Sequence, residues 1–168
     1  MVSISRNFKL YLVFSLSCSI FALKIQLFNG TTMIQEFQVQ NFYSIRERQS
    51  ISFVPTNDGN MREQYVHEVT EGVGLLKIGI VYGSNASGKT TLLRALSYFR
   101  STMLNKPESK NEGMGYFPFL LDKYSRNEHS HMQMTFWLNG EKYVLNLEFD
   151  SKRIYEESLI EGSWGRFC

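Results

Sequence analysis

Lys89 and Thr90 close a glycine-framed turn, "GSNASGKT" from Gly83 to Thr90, with the spacing G-x-x-x-x-G-K-T. Residues of these types at this spacing serve anion capture. Glycines let successive backbone N–H groups turn inward around a phosphate chain, and a helix starting at the lysine offers its positive N-terminal end. Lys89 then reaches the outer phosphates as a mobile point charge, and the Thr90 hydroxyl becomes a ligand of a magnesium ion that keeps most of its waters. Such a motif has meaning only when a strand leads into it and a helix leads out. A glycine-containing turn with no ligand is the alternative.

The flanking segments have the required patterns. Upstream, "LLKIGIVYG" (75–83) is a short apolar run bounded by glycine, which predicts a fully buried central strand. Downstream, Leu92, Leu96, Phe99 and Met103 recur at spacings of four, three and four, which predicts a helix from about Thr90 to Leu104 with one apolar face. Lys106-Pro107 is the expected stop.

A chain of 168 residues, 43% apolar and 14% aromatic, has enough material for one domain with a core. The formal charge of +2 misleads, because residues 1–32 contain Arg6, Lys9 and Lys24 and no acid. From Met33 onward 15 basic residues face 16 acidic ones, so charge balance gives no basic patch for nucleic acid. Cys18 and Cys168 lie at opposite ends of the chain, outside any metal-ligand spacing, and indicate neither a disulfide framework nor a zinc site.

Residues 1–32 differ in kind from the rest. "LYLVFSLSCSIFAL" (10–23) is an apolar run behind Arg6 and Lys9, similar to a signal-peptide core and short for a membrane span. A triphosphate-binding loop is useful only where triphosphates are available. The favoured expectation is therefore translation from Met33, an over-extended reading frame upstream, and a cytoplasmic protein without stable membrane association; a real signal or anchor is the alternative.

From Met33 the pattern is one of short strands. "IQEFQVQNFYSI" (34–45) alternates through Phe37 and Val39, and "QSISFVP" (49–55) through Ile51 and Phe53, around a polar turn. Residues 56–74 read as a polar connection and 105–131 as a long loop. "HMQMTFWL" (131–138) alternates Met132, Met134, Phe136 and Leu138 on one face. Asn139-Gly140 is a strong hairpin signal joining it to "EKYVLNLEF" (141–149), with Tyr143, Leu145, Leu147 and Phe149 on one face. Asp150-Ser151 turns the chain into a further strand, "RIYEESLI" (153–160). The expected fold is α/β, a parallel-type P-loop NTPase core flanked by an antiparallel β meander.

A strand ending in "NFYS" (41–44), then "SISF", then Gly83, Asn85, Ser87, Gly88, Lys89 and Thr90 as G-x-N-x-S-G-K-T, resembles the N-terminal lobe of ABC-type ATPase heads. Within that class the chain is most similar to AAA-type ATP-binding proteins related to RecF, SMC heads and OLD-like nucleases, many of which serve in DNA repair or phage defence. "YFPFLLD" (116–122) and the meander 137–159 also resemble that group. The resemblance implies an ABC-head type of P-loop core, with ATP and Mg2+ as cofactors. It implies that Asn85, Ala86, Ser87, Gly88, Lys89, Thr90 and Thr91 wrap the β- and γ-phosphates. It makes Arg46 and Arg48, just after the "NF-S" turn, candidates for approaching the nucleotide, against the alternative of a solvated turn Arg46-Glu47-Arg48. The loop itself grips phosphates and does not distinguish ATP from GTP.

Tyr82 reads as core at a strand end. His129 and His131 share one face of a strand as a candidate metal pair, but with no third ligand nearby they read as the exposed start of that strand. Hydrolysis in the class that the chain resembles needs an apolar strand ending in an acidic pair and a glycine-rich signature loop from a dimer partner. "FPFLLD" ends in Asp122, but Pro118 argues against a central strand. "YVLNLEFD" is half-exposed, and "EGSWGRFC" (161–168) lacks the signature. The expectation is an incomplete lobe: 33–168 as the N-terminal part of a P-loop ATPase domain, with homodimerisation and a DNA-directed or effector domain belonging to a missing half. A nucleotide-binding module or fragment without turnover is the alternative, and a small P-loop kinase is the weaker one, since such kinases need acidic and arginine-rich lid segments and the antiparallel meander is not a lid. Should the chain turn over alone, Asp122 and Glu148 are the acids to test.

Overall fold

The computed structural model describes residues 2–4, 8–12, 32–56, 61–104 and 115–162. Its centre is a five-stranded, wholly antiparallel sheet built from β3 (Thr32–Gln40), β4 (Gln49–Ser52), β8 (Ser130–Leu138), β9 (Glu141–Phe149) and β10 (Ile154–Gly162), in the order β10-β9-β8-β3-β4. Two short strands, β1 (Val2–Ile4) and β2 (Phe8–Leu12), form a separate sheet with β7 (Ile80–Val81). A one-turn helix α1 (Arg62–Tyr65) leads into the hairpin β5 (Val66–Thr70) and β6 (Val73–Leu76), and α2 (Lys89–Leu104) follows the glycine turn. A 3-10 turn at Ser125–Asn127 precedes β8.

The meander follows from period-2 patterning. Met132, Met134, Leu147 and Phe149 are buried on one face, where Phe37, Val39 and Ile51 join them. Asn139 and Gly140 have φ of 53° and 84°, the two positive values that a tight hairpin of matching twist requires, and they set the register Leu138↔Glu141. Against this face lies α2, whose Leu92, Ala95 and Phe99 are buried while Leu96 and Met103 pack at the margin. Phe99 meets Phe37 edge-on at 5.6 Å.

The opposite face is polar over much of its area, but one end is covered. Between Ile34 and Glu36 the β3–β8 register shifts by a bulge, so Ile34 packs on the α2 side and Met33 on the other. There Met33, Trp137 and Leu75 form a second buried cluster under Val69 and Val73 of the hairpin. The Trp137 indole N–H donates to Gln35 Oε1 at 2.7 Å.

Four expectations need correction. The connection expected over 56–74 contains α1 and most of the β5–β6 hairpin, turning at Glu71-Gly72 where Gly72 takes φ 75°. The expected buried strand over 75–83 is split: Leu75 and Leu76 belong to β6, and β7 is only two residues long. Ile78, Ile80 and Tyr82 are exposed, since β7 pairs antiparallel with β2 and no other described strand. Tyr82 is therefore not core. Among the described residues no two strands pair in parallel. A parallel core needs crossover neighbours on both sides of the central strand, and the strands that follow α2 instead return as hairpins. The long loop ends at Glu128–His129, where β8 begins one residue earlier than expected. Lys106-Pro107, Cys18, Cys168 and most of the 10–23 apolar run lie outside the described residues.

Candidate functional site

The glycine turn from Gly83 to Gly88 sits at the N-terminus of α2, and residues 82–86 are exposed. Two positive φ values shape it, 62° at Ala86 and 90° at Gly88. At Gly88 a Cβ would meet no atom within 4 Å, so the glycine is required by its backbone conformation rather than by crowding. The Leu92 N–H donates to Gly88 O at 3.0 Å. The N–H groups of Lys89, Thr90 and Thr91 thus belong to the first turn, which a helix leaves without acceptors of its own.

Lys89 folds back across this loop. Its Nζ donates to Ser84 O at 2.6 Å, to Gly83 O at 3.0 Å and to Ser87 Oγ at 3.3 Å. These partners are neutral, and among the described residues no carboxylate pairs with Lys89. The first turn of α2 also lacks an acid. A full positive charge and the positive end of a 16-residue helix therefore converge on one exposed loop without a counter-charge. Such an arrangement attracts a multiply charged anion.

Gly83, Asn85, Ala86, Ser87, Gly88, Lys89 and Thr90 are contiguous in this turn, and Thr90 is exposed beside it. Thr91 differs. It is buried, and its hydroxyl shares a 2.7 Å hydrogen bond with the Ser44 hydroxyl from the turn between β3 and β4. Its side chain faces the sheet, so only its backbone belongs with the loop.

The β3–β4 turn is built around Asn41, buried with φ 51°. Its amide donates to Ser125 O at 2.8 Å and Glu128 O at 2.9 Å, its Oδ1 accepts from the Phe119 N–H at 2.9 Å, and its carbonyl accepts from Ser130 Oγ at 2.6 Å. Sequence reasoning recognised Asn41 only as part of "NFYS". An asparagine at a strand end, where the left-handed conformation is tolerated, was the available signal.

Arg46 extends from this turn and pairs with Asp122, Nε to Oδ2 at 3.0 Å. Asp122 also accepts the N–H groups of Tyr124 and Ser125 at 2.7 Å each and the Ser125 hydroxyl at 2.9 Å. The Ser125 N–H is the main reason that its carboxyl is held below the ordinary aspartate value. Desolvation opposes this, while the Ser125 hydroxyl, the Tyr124 N–H and Arg46 reinforce it. Asp122 is thus engaged as the anchor of a turn.

Arg48 and the histidines lie elsewhere. Arg48 borders an open cavity of about 280 Å³ on the polar face of the sheet, with Gln38, His131, Gln133 and Glu148. His129 and His131 turn their Nδ1 atoms toward the two oxygens of Glu148, the second at 3.6 Å, and His129 stacks on Tyr155 at 3.9 Å. Glu148 is occupied by the two histidines, and among the described residues no group of three His, Cys, Asp or Glu side chains is arranged to hold a metal ion. Among the described residues no helix is long and apolar enough to cross a membrane.

Comparison with known proteins adds one finding. Residues 79–162, half of the chain, match the family described as "AAA domain, putative AbiEii toxin, Type IV TA system". No curated protein and no solved structure matches the chain. The matched span begins just before the glycine turn and runs through α2 and the meander to the end of β10. By that match, and with the loop and helix it contains, the chain belongs to this AAA-domain family.

Proposed function

We propose that the chain binds ATP with Mg2+ through Gly83–Thr91, as the nucleotide-gripping lobe of an ATPase that hydrolyses ATP when complete. The ABC-head character, the kinship with RecF, SMC and OLD-like proteins, and service in DNA repair or phage defence belong to this proposal. So do a cytoplasmic location, where triphosphates are available, and dimerisation through a missing half. The observation that carries it is Lys89, an ammonium held over the loop by neutral carbonyls, at the uncompensated N-terminus of α2. An incoming phosphate chain exchanges those neutral carbonyls for anionic oxygens, so that each hydrogen bond from the ammonium becomes an ion pair as well. Thr90 is the metal residue of this reading, through its exposed hydroxyl.

A second reading, nucleotide binding without turnover, is favoured by the engagement of Asp122 and Glu148 with local partners. Neither is free to orient an attacking water. The test is calorimetric titration of Mg-ATP and Mg-GTP into the chain and its Lys89→Ala variant, beside phosphate release by this chain and by one extended through the downstream reading frame. Lys89→Ala is expected to weaken binding by about 2–3 kcal/mol with the fold retained by circular dichroism. Undiminished binding refutes the proposal. Steady turnover by the 168-residue chain that depends on Lys89 refutes the second reading.

A further inference from the structure

The apolar stripe of α2 fixes how closely the helix lies on the sheet, and the edge-on contact of Phe99 with Phe37 and the stacking of Tyr98 on Phe149 orient its middle. Nearer its N-terminal turn, Leu92 and Ala95 make non-directional contacts and constrain rotation about the helix axis weakly. That rotation decides where the N–H groups of its first turn point, and so how well they meet a phosphate. A directional contact near this end is the hydrogen bond between Thr91 Oγ1 and Ser44 Oγ, which spans 47 positions of sequence. One turn further along α2, the Arg94 guanidinium lies over the ring of Tyr43, 5.8 Å from its centroid.

The turn that presents Ser44 and Tyr43 is itself held firmly. Phe42 and Ile45 exchange backbone hydrogen bonds at 2.7 and 2.8 Å, the Asn41 N–H donates to Arg46 O at 3.1 Å, and the Tyr43 N–H donates to Phe117 O at 2.7 Å. Tyr43 stands at φ 49° and stacks on Phe117 at 4.8 Å. A hydroxyl on a rigid mount, bonded to the helix residue immediately after Lys89-Thr90, is suited to setting the orientation of that helix end.

We propose that Ser44 is a positioning residue of the nucleotide site, acting through the Thr91 hydroxyl to orient the first turn of α2; the inference rests on the nucleotide reading of the loop. Ser44 itself touches no phosphate in this account.

The experiment is a double-mutant cycle read by Mg-ATP titration of the full chain: wild type, Ser44→Ala, Thr91→Val and both together, with Ser44→Thr as the conservative variant and thermal unfolding measured beside each. Each single change is expected to weaken binding about three- to tenfold, the range for one hydrogen bond. The double variant is expected to be no weaker than the worse single one, because both remove the same contact. Ser44→Thr restores the hydroxyl and is expected to bind within about twofold of wild type, well inside the loss of one hydrogen bond. Unchanged affinity in Ser44→Ala, or losses that add, overturns the positioning role even if stability falls. A wild-type chain that binds no Mg-ATP overturns the nucleotide reading, and the positioning role with it.

Discussion

Replacing Asn41 by alanine tests whether the turn that carries Ser44 is held as described. The substitution removes three short hydrogen bonds, the amide donations to Ser125 O and Glu128 O and acceptance from the Phe119 N–H, together with a longer donation to His129 O at 3.4 Å. At about 1 kcal/mol each, the short ones sum to about 3 kcal/mol. Alanine must also hold φ near 51°, which costs a residue with a Cβ about 1–2 kcal/mol. Water reaching the partly buried Glu128 and Phe119 partners recovers some of this loss, so the expected destabilisation is about 3–5 kcal/mol. Against a domain stability of about 5–15 kcal/mol, that is a large share. Urea unfolding followed by tryptophan fluorescence measures it, since Trp137 is buried in the second cluster. Asn41→Gly separates the two causes: glycine adopts the same φ without strain, so it should lose only the hydrogen-bond part and be about 1–2 kcal/mol less damaging than alanine. An alanine variant within about 1 kcal/mol of wild type, the worth of a single hydrogen bond, would refute the reasoning. A glycine variant as unstable as the alanine one would refute its backbone part.

Two further outcomes follow from the same geometry. Asp122 has a folded-state pKa below the ordinary 3.8, so its contribution to stability is complete above that value and is lost as pH falls through the lower folded one. Asp122→Asn should flatten the acid limb of the stability curve and leave its shape near neutrality unchanged, and an unaltered acid limb contradicts the assignment. Gly88→Ala forces a side chain onto φ 90°, where space is open but the backbone is disfavoured. The free loop then relaxes from its phosphate-ready shape, so Mg-ATP binding should weaken by about 1–2 kcal/mol, the cost of restoring that φ, and titration showing wild-type affinity would contradict a need for this φ in binding.

The parts of this protein that sequence alone determined are those governed by local backbone preference and side-chain period. The stripe Leu92, Leu96, Phe99 and Met103 marks a helix because residues three and four apart share a face, and α2 begins at Lys89, one residue from the expected start. Alternation through Met132 and Met134, and through Leu147 and Phe149, marks two strands, and Asn139-Gly140 sets their register because few residue pairs accept two positive φ values. The glycine-framed turn is of this kind also, since positive φ values at Ala86 and Gly88 shape it and the helix begins at Lys89 directly after it. What tertiary structure decided is which surfaces find partners. The apolar run 75–83 has the composition of a buried strand, yet burial depends on neighbours that no local pattern names, and Ile78 and Ile80 remain exposed. Trp137 is buried on the face opposite Met134 because the β5–β6 hairpin covers it, and that hairpin looked like polar connection. Asp122 is drawn to Arg46 and its own following turn, and Thr91 to Ser44, by contacts between groups up to 76 positions apart. Such contacts depend on where packing places the two groups in space, so the residue types flanking each one do not reveal them.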